Sequence, residues 1–96
     1  MASSKEFHNF VLEQLRDLQN IVSKKMMGEY LLYYNGILFG GIYDDRFLIK
    51  ITKTNKSYSL EETIPYQNAK PMYLVDNLED VEYLSQLVKT TCEDLQ

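Results

Sequence analysis

The 96-residue chain predicts an α+β domain of two layers, with helices packed on one face of an antiparallel sheet. Three observations carry that prediction. Apolar residues recur at helical spacing at both ends of the chain. In the middle, two apolar and aromatic runs meet at Asn35-Gly36, a dipeptide that accepts positive φ at both central positions of a two-residue hairpin turn. Asp44-Asp45 then gives a second turn signal before a third run rich in β-formers, Phe47 to Thr52. The expected order is helix, three strands, a short helix, a strand and a closing helix, in a single domain over residues 1–96.

Ser3 with Glu6 three residues later fits a capping box, in which each side chain satisfies the other residue's free backbone N–H. Phe7, Phe10, Val11, Leu15, Leu18, Ile21 and Val22 follow as one stripe, so the first helix is expected over about 4–20. In the hairpin, a two-residue turn pairs Tyr34 with Ile37, Tyr33 with Leu38, Leu32 with Phe39 and Tyr30 with Gly41. The Asp44-Asp45 turn pairs Tyr43 with Arg46, Ile42 with Phe47 and Gly40 with Ile49. Thr54-Asn55-Lys56-Ser57 reads as a turn and Leu60-Glu61-Glu62 as a short helix, while Pro65 and Pro71 bar a long one. Met72-Tyr73-Leu74-Val75 reads as a strand. Asn77 is the expected N-cap of a last helix, 77–95, whose stripe is Val81, Leu84, Leu87, Val88, Thr91, Cys92 and Leu95.

Composition excludes several classes. One cysteine forbids an internal disulfide framework. No apolar run approaches the ~20 residues of a membrane span, and the opening residues do not form a signal peptide, so a cytoplasmic protein without membrane contact is expected. The net charge of −4 argues against general affinity for nucleic acid. Charge is uneven. Residues 1–56 carry eight Lys/Arg and six Asp/Glu, a balance of +2, and residues 57–96 carry two and eight, a balance of −6. A local basic patch is compatible with this split.

The chemistry-bearing residues do not assemble into a catalytic or ligating set, so no catalytic residue, cofactor or metal is expected. His8 is the only histidine, and neither Glu6 nor Glu13 stands four residues from it; a surface histidine is the simpler reading. Cys92 lies on the apolar stripe of the last helix, where a thiol behaves as a small hydrophobe. Asp44-Asp45 is explained by turn chemistry, and Glu61-Glu62 is no better as an acid–base pair. Gly40-Gly41 lacks the Lys-Ser/Thr of a phosphate loop and reads as a bulge or a close approach of the first helix.

Alternation across the sheet, with no bulge, sorts the central residues into two faces. Leu31, Tyr33, Leu38, Gly40, Ile42, Phe47, Ile49 and Ile51 form a plain core face. The opposite face collects Tyr30, Leu32, Tyr34, Ile37, Phe39, Gly41, Tyr43, Arg46, Leu48 and Lys50. A single-residue slip at Gly40-Gly41 would exchange the faces beyond it. The second face is too apolar for bare solvent. Its Tyr30, Tyr34, Phe39, Tyr43, Arg46 and Lys50 form the candidate interaction face. Three occupants fit: a protein partner or a second copy making a homodimer, the chain's own 53–76 segment, or stacked bases of a single strand.

Lys25, Met26, Met27, Gly28, Tyr30, Leu32, Tyr33, Gly36, Phe39 and Ile42, then Asp45 and a strand ending at Lys50, follow a pattern that resembles the N-terminal domain of the TfoX/Sxy family, bacterial regulators of natural competence. Tyr66, Ala69-Lys70-Pro71-Met72 and Val75 resemble that family's second block. Met27 stands where the family usually has Phe. The resemblance implies a sheet-and-helix fold similar to secretion chaperones. Because the sequence ends at Gln96, it also implies an N-terminal-type domain standing alone, without the helical C-terminal domain of full-length competence regulators. It brings no catalytic residues. The function it implies is a non-enzymatic regulatory domain, a transcriptional co-regulator acting through protein contacts. The other readings are a small-ligand or enzymatic domain with a pocket between sheet and helices, and a weak nucleic-acid binder.

Overall fold

A computed structural model describes residues 3–96. In chain order it contains helix α1 (Lys5–Gln14), strands β1 (Ile21–Met26), β2 (Glu29–Tyr34), β3 (Ile37–Tyr43) and β4 (Arg46–Ile49), a 3-10 turn (Asn55–Tyr58), strands β5 (Glu61–Thr63) and β6 (Met72–Leu74), and helix α2 (Val81–Leu95). One six-stranded sheet runs β1-β2-β3-β4-β6-β5, with every neighbouring pair antiparallel. The α+β class and the order of elements are those expected from the sequence. Strands β1 and β5 are additions, and each forms one edge of the sheet.

Three two-residue turns fold the first four strands into a meander. Both central residues of each have positive φ: Met27 and Gly28, Asn35 and Gly36, Asp44 and Asp45. That is the backbone whose twist matches the twist of the strands it joins. Asn35-Gly36 and Asp44-Asp45 stand where the sequence places them. Met27-Gly28 is less legible, because methionine rarely takes a left-handed conformation.

The first helix is shorter than its stripe. Ser4, not Ser3, is the N-cap, and its Oγ accepts from the Phe7 N–H at 3.1 Å. The helix ends at Gln14, but the chain continues through further turns, with Arg16 N–H bonded to Glu13 O and Leu18 N–H to Leu15 O. These turns keep a spacing of about three residues, so Leu15 and Leu18 still reach the core. Ile21 and Val22, which helical spacing assigns to the helix, instead open β1 after Asn20 turns the chain at φ 63. The last helix is also shorter than expected: its N-cap is Asp80, accepting from Tyr83 N–H at 3.1 Å, rather than Asn77. Leu60-Glu61-Glu62 is not a short helix; Glu61 and Glu62 lie in edge strand β5 against Leu74 and Tyr73. The single 3-10 turn falls slightly earlier, where Thr54 to Ser57 reads as a turn. Buried Asn55 holds it: Nδ2 donates to Lys50 O and Thr91 Oγ1, each at 2.9 Å, and Oδ1 accepts from Thr52 N–H.

A register shift decides which face is core. Tyr34 pairs with Ile37 and Tyr33 with Leu38 as expected, but Leu32 then pairs with Gly40 and Tyr30 with Ile42. Phe39 is the extra residue of a β-bulge, one position before the expected Gly40-Gly41. Between β3 and β4 the expected pairs hold: Gly40 with Ile49, Ile42 with Phe47, Tyr43 with Arg46. The slip moves Tyr30, Leu32 and Phe39 to the side of Ile42, Phe47 and Ile49. Those six close one core with Val11, Leu15 and Leu18 at the first helix and Leu84, Leu87, Val88 and Cys92 on α2. The expected two faces are therefore corrected: each expected face is half core and half outer.

The bulge makes the two glycines obligatory, for a reason other than contact with the first helix. A Cβ on Gly40 would collide with the Leu48 carbonyl and lie 2.9 Å from Ile49 Cα. One on Gly41 would lie 2.5 Å from the Tyr30 carbonyl oxygen. At both positions the close neighbour is backbone of an adjacent strand.

Candidate interaction surface

The sheet divides the six candidate residues. Phe39 is fully buried and Tyr30 is 7% exposed, both under the helices, and Tyr34 packs partly against the same core. Tyr43, Arg46 and Lys50 lie on the other side, which no helix covers. The six do not form one surface. The outer face includes Val22, Lys24 and Met26 on β1, Glu29, Leu31 and Tyr33 on β2, Leu38 and Tyr43 on β3, Arg46 and Leu48 on β4, and Lys50 just beyond it.

The chain covers part of this outer face itself, with residues 64–71. Arg46 fastens that segment. Its guanidinium donates to Thr63 Oγ1 at 3.0 Å, Ile64 O at 3.3 Å and Pro65 O at 3.2 Å, and its Nε donates to Tyr43 O. Pro65 is buried as a result, and Leu48 is fully buried outside the helix-side core. Arg46 thus works as a clamp within the chain.

The Tyr66 ring stands 6.1 Å from the Tyr43 ring, centroid to centroid, and the pair forms a ridge between two hollows. One, of about 650 Å³, runs from Leu38 and Lys50 to Lys70 and Met72. The other, of about 660 Å³, is lined by Met26, Met27, Glu29, Tyr30, Leu31, Tyr43 and Tyr66. Both open on the outer face rather than between sheet and helices. Apolar side chains around the second hollow are exposed to an unusual degree: Met27 96%, Tyr66 63%, Met26 55%, with Val22 nearby on β1 at 49%. Exposed apolar groups gathered in one place mark contact surfaces. Burial raises the Tyr43 phenol pKa, with Tyr66 and Glu29 adding to it, so Tyr43 is a neutral hydrogen-bonding group at physiological pH.

The remaining candidates have structural places. Asp44 and Asp45 belong to a clasp at the start of the first helix. Ser3 Oγ donates to Glu29 Oε1 at 2.6 Å and accepts from Asp45 N–H at 3.0 Å, Glu29 Oε2 accepts from Asp44 N–H, and Asp45 Oδ1 accepts from Ser4 N–H at 2.7 Å. His8 is not a plain surface side chain. Its ring stacks on Tyr30 at 3.9 Å, and Nε2 meets Ser23 Oγ at 2.6 Å. Cys92 is 2% exposed, and burial pushes its thiol up to about 11, far from the thiolate a nucleophile requires. Among the described residues there is no group of three or more His, Cys, Asp or Glu able to hold a metal ion, and no helix long and apolar enough to cross a membrane.

Met26, Met27, Leu31 and Tyr66 were not singled out by residue chemistry. For Met26, Met27 and Leu31 the signal was the turn at Met27-Gly28: once it is seen, β1 and β2 pair, and Met26 and Leu31 fall on one side; Tyr66 is brought there by the segment after β5.

The model of the TfoX N-terminal domain matches residues 13–94, nearly the whole chain. The chain belongs to the TfoX N-terminal domain family. A curated relative from Spirochaeta aurantia, named as an uncharacterized 12.7 kDa protein in the trpE 5′ region, is 28% identical over 98 aligned positions, covering 99% of this chain and 85% of the relative. Within the family frame, the fold read from the residues and the fold implied by the resemblance agree. The family membership supports a competence-regulator-like domain.

Proposed function

We propose that this TfoX N-terminal-type domain is a non-enzymatic bacterial regulator, a transcriptional co-regulator that works in the cytoplasm through contacts with protein. The observation that carries the reading is the outer face of the sheet. It holds the most exposed apolar residues of the hairpin region around a hollow beside the Tyr43–Tyr66 ridge, while the other face is consumed by the core. Tyrosine and methionine at the centre of such a patch, with lysines at its margin, match the composition of protein-binding surfaces. Of the original six residues, Tyr43 and Lys50 remain on the proposed surface, and Arg46 supports it from within.

The test is transcript profiling in the source organism. Deletion should shift a defined transcript set and the wild-type gene should restore it. A Tyr43→Ala/Tyr66→Ala double variant, shown by circular dichroism to be folded, should fail to restore it. Full restoration by that variant sinks the reading. Sedimentation across a concentration series settles whether self-association accompanies the activity.

A further inference from the structure

We infer that the free edge of β1 is a docking strand for an extended acidic segment of a partner protein, added antiparallel as a seventh strand. The inference rests on the protein-contact reading above and specifies the partner's chemistry.

Strand β1 pairs with β2 alone, and among the described residues nothing bonds to its outer backbone. The phase of the ladder shows which groups are free. Asn35 N–H donates to Asn20 O at 3.2 Å, so Asn20 and Asn35 form a hydrogen-bonded pair. Hydrogen-bonded and open pairs alternate along an antiparallel ladder. Val22, Lys24 and Met26 therefore bond inward to β2, and Ile21, Ser23 and Lys25 turn their N–H and C=O groups outward. That is a row of three donors and three acceptors along a six-residue edge. The opposite edge, β5, is three residues long and carries Glu61-Glu62. Very short edges resist added strands, while the lysines of the longer β1 edge discourage a like-charged strand and leave it open to an acidic one.

Charge selects the occupant. Residues facing each other across a ladder share a face. A second copy joined through β1 about a two-fold axis has two central registers. One sets Lys24 opposite its own counterpart, like charge on like charge. The other sets Lys24 against Val22 and Lys25 against Ile21. Neither supplies a carboxylate to either lysine. Among the described residues, the Tyr33 ring lies beneath Lys24 at 5.5 Å. A foreign strand reading apolar, acidic, acidic, any, apolar places its residues opposite Met26, Lys25, Lys24, Ser23 and Val22 in turn. Its first apolar side chain then lies beside exposed Met26, on the same outer face as the hollow that Met26 borders.

The probe is the capped peptide Ser-Thr-Val-Glu-Glu-Thr-Val-Thr-Ser, compared with the same peptide carrying Lys for both Glu, titrated into the full chain and followed by backbone amide NMR. The acidic peptide should shift the β1 amides saturably. The Lys24→Glu/Lys25→Glu variant should bind it at least about tenfold more weakly and reverse the preference between peptides. Ser23→Pro, which removes an outward N–H without touching the β2 ladder, should lose binding, and Ser23→Ala, which removes only the His8 contact, should keep it. Equal binding of the two peptides, no binding at millimolar peptide, or full binding by Ser23→Pro overturns the inference. If Ser23→Pro does not fold, the charge-reversed variant decides. Leu60 to Ile64 of this chain carries the same apolar-acidic order, so concentration-dependent assembly of the wild type that Ser23→Pro abolishes would also overturn it, in favour of a second copy. Transcript restoration separates the two proposals. If Ser23→Pro restores and Tyr43→Ala/Tyr66→Ala does not, only the β1 inference fails; if both restore, both fail.

Discussion

The two faces of this sheet are built from the same kinds of residue and have different fates. Phe39, Tyr30 and Leu32 on one side, and Tyr33, Leu38 and Tyr43 on the other, are alike in apolar and aromatic character. One set is sealed beneath the helices, and the other is covered only by the 64–71 segment pinned through Arg46. The difference shows that hydropathy identified the sheet but not its inside. A bulge of one residue at Phe39 assigned the sides, and the helices followed that assignment.

The largest test of this comparison is Phe39→Ala against Tyr66→Ala. The core substitution should lose about 3–5 kcal/mol in urea denaturation, the range for deleting a buried phenyl. Tyr66→Ala, on a side chain that is 63% exposed, should change stability by less than about 1 kcal/mol. Comparable losses would mean that the outer face is core as well. Gly41→Ala probes the strand geometry on which the sides depend. Its methyl would press on the backbone oxygen of Tyr30 and on the Tyr43 ring, so β2 and β3 must part as well as Tyr43 move, and a loss of about 3 kcal/mol or more is expected from such overpacking.

Two smaller tests sharpen the helix side. Cys92, on the buried face of α2, should react with a thiol reagent at neutral pH only as fast as the domain unfolds, because the side chain is inaccessible and burial raises its pKa to about 11. Labelling of the native protein at the rate of a free thiol would place α2 wrongly. Asp94, near the end of α2, accepts from Thr54 N–H at 2.8 Å and Thr54 Oγ1 at 3.0 Å, and the Thr54 backbone N–H above all holds its pKa below the ordinary value. A depressed folded-state pKa contributes stability above the unfolded value, about 3.9, that is lost as pH falls through the folded one. Asp94→Asn should therefore flatten the pH dependence of stability in the acid range, slightly, and an unchanged profile would remove the link between α2 and the 3-10 turn.

Much of the fold was legible because it rests on local signals. Asn35-Gly36 and Asp44-Asp45 turn the chain through their own backbone preferences, and the β3–β4 register follows from the second turn. Leu84, Leu87, Val88, Thr91 and Cys92 lie on one helical stripe, and all are buried. What misled was also local. Leu15 and Leu18 kept helical spacing after the helix had ended, which drew Ile21 and Val22 into the wrong element and hid β1. The candidate surface was half legible: Tyr43 and Lys50 lie where the outer face is, while Tyr30, Tyr34 and Phe39 were carried inside by the bulge.

The sequence by itself determined the class, the order of elements, two of the three hairpin turns and the family pattern around Gly28, Tyr30 and Gly36, because each depends on neighbours along the chain. Only the tertiary structure decided which face of the sheet is buried. That choice turns on how closely β3 approaches its neighbours at Gly40 and Gly41, and one extra residue in a ladder of period two exchanges inside for outside. Arg46 reaching residues 63–65, and Ser3 reaching Glu29 and Asp45, were likewise decided in three dimensions, since nothing in the spacing along the chain brings those groups together.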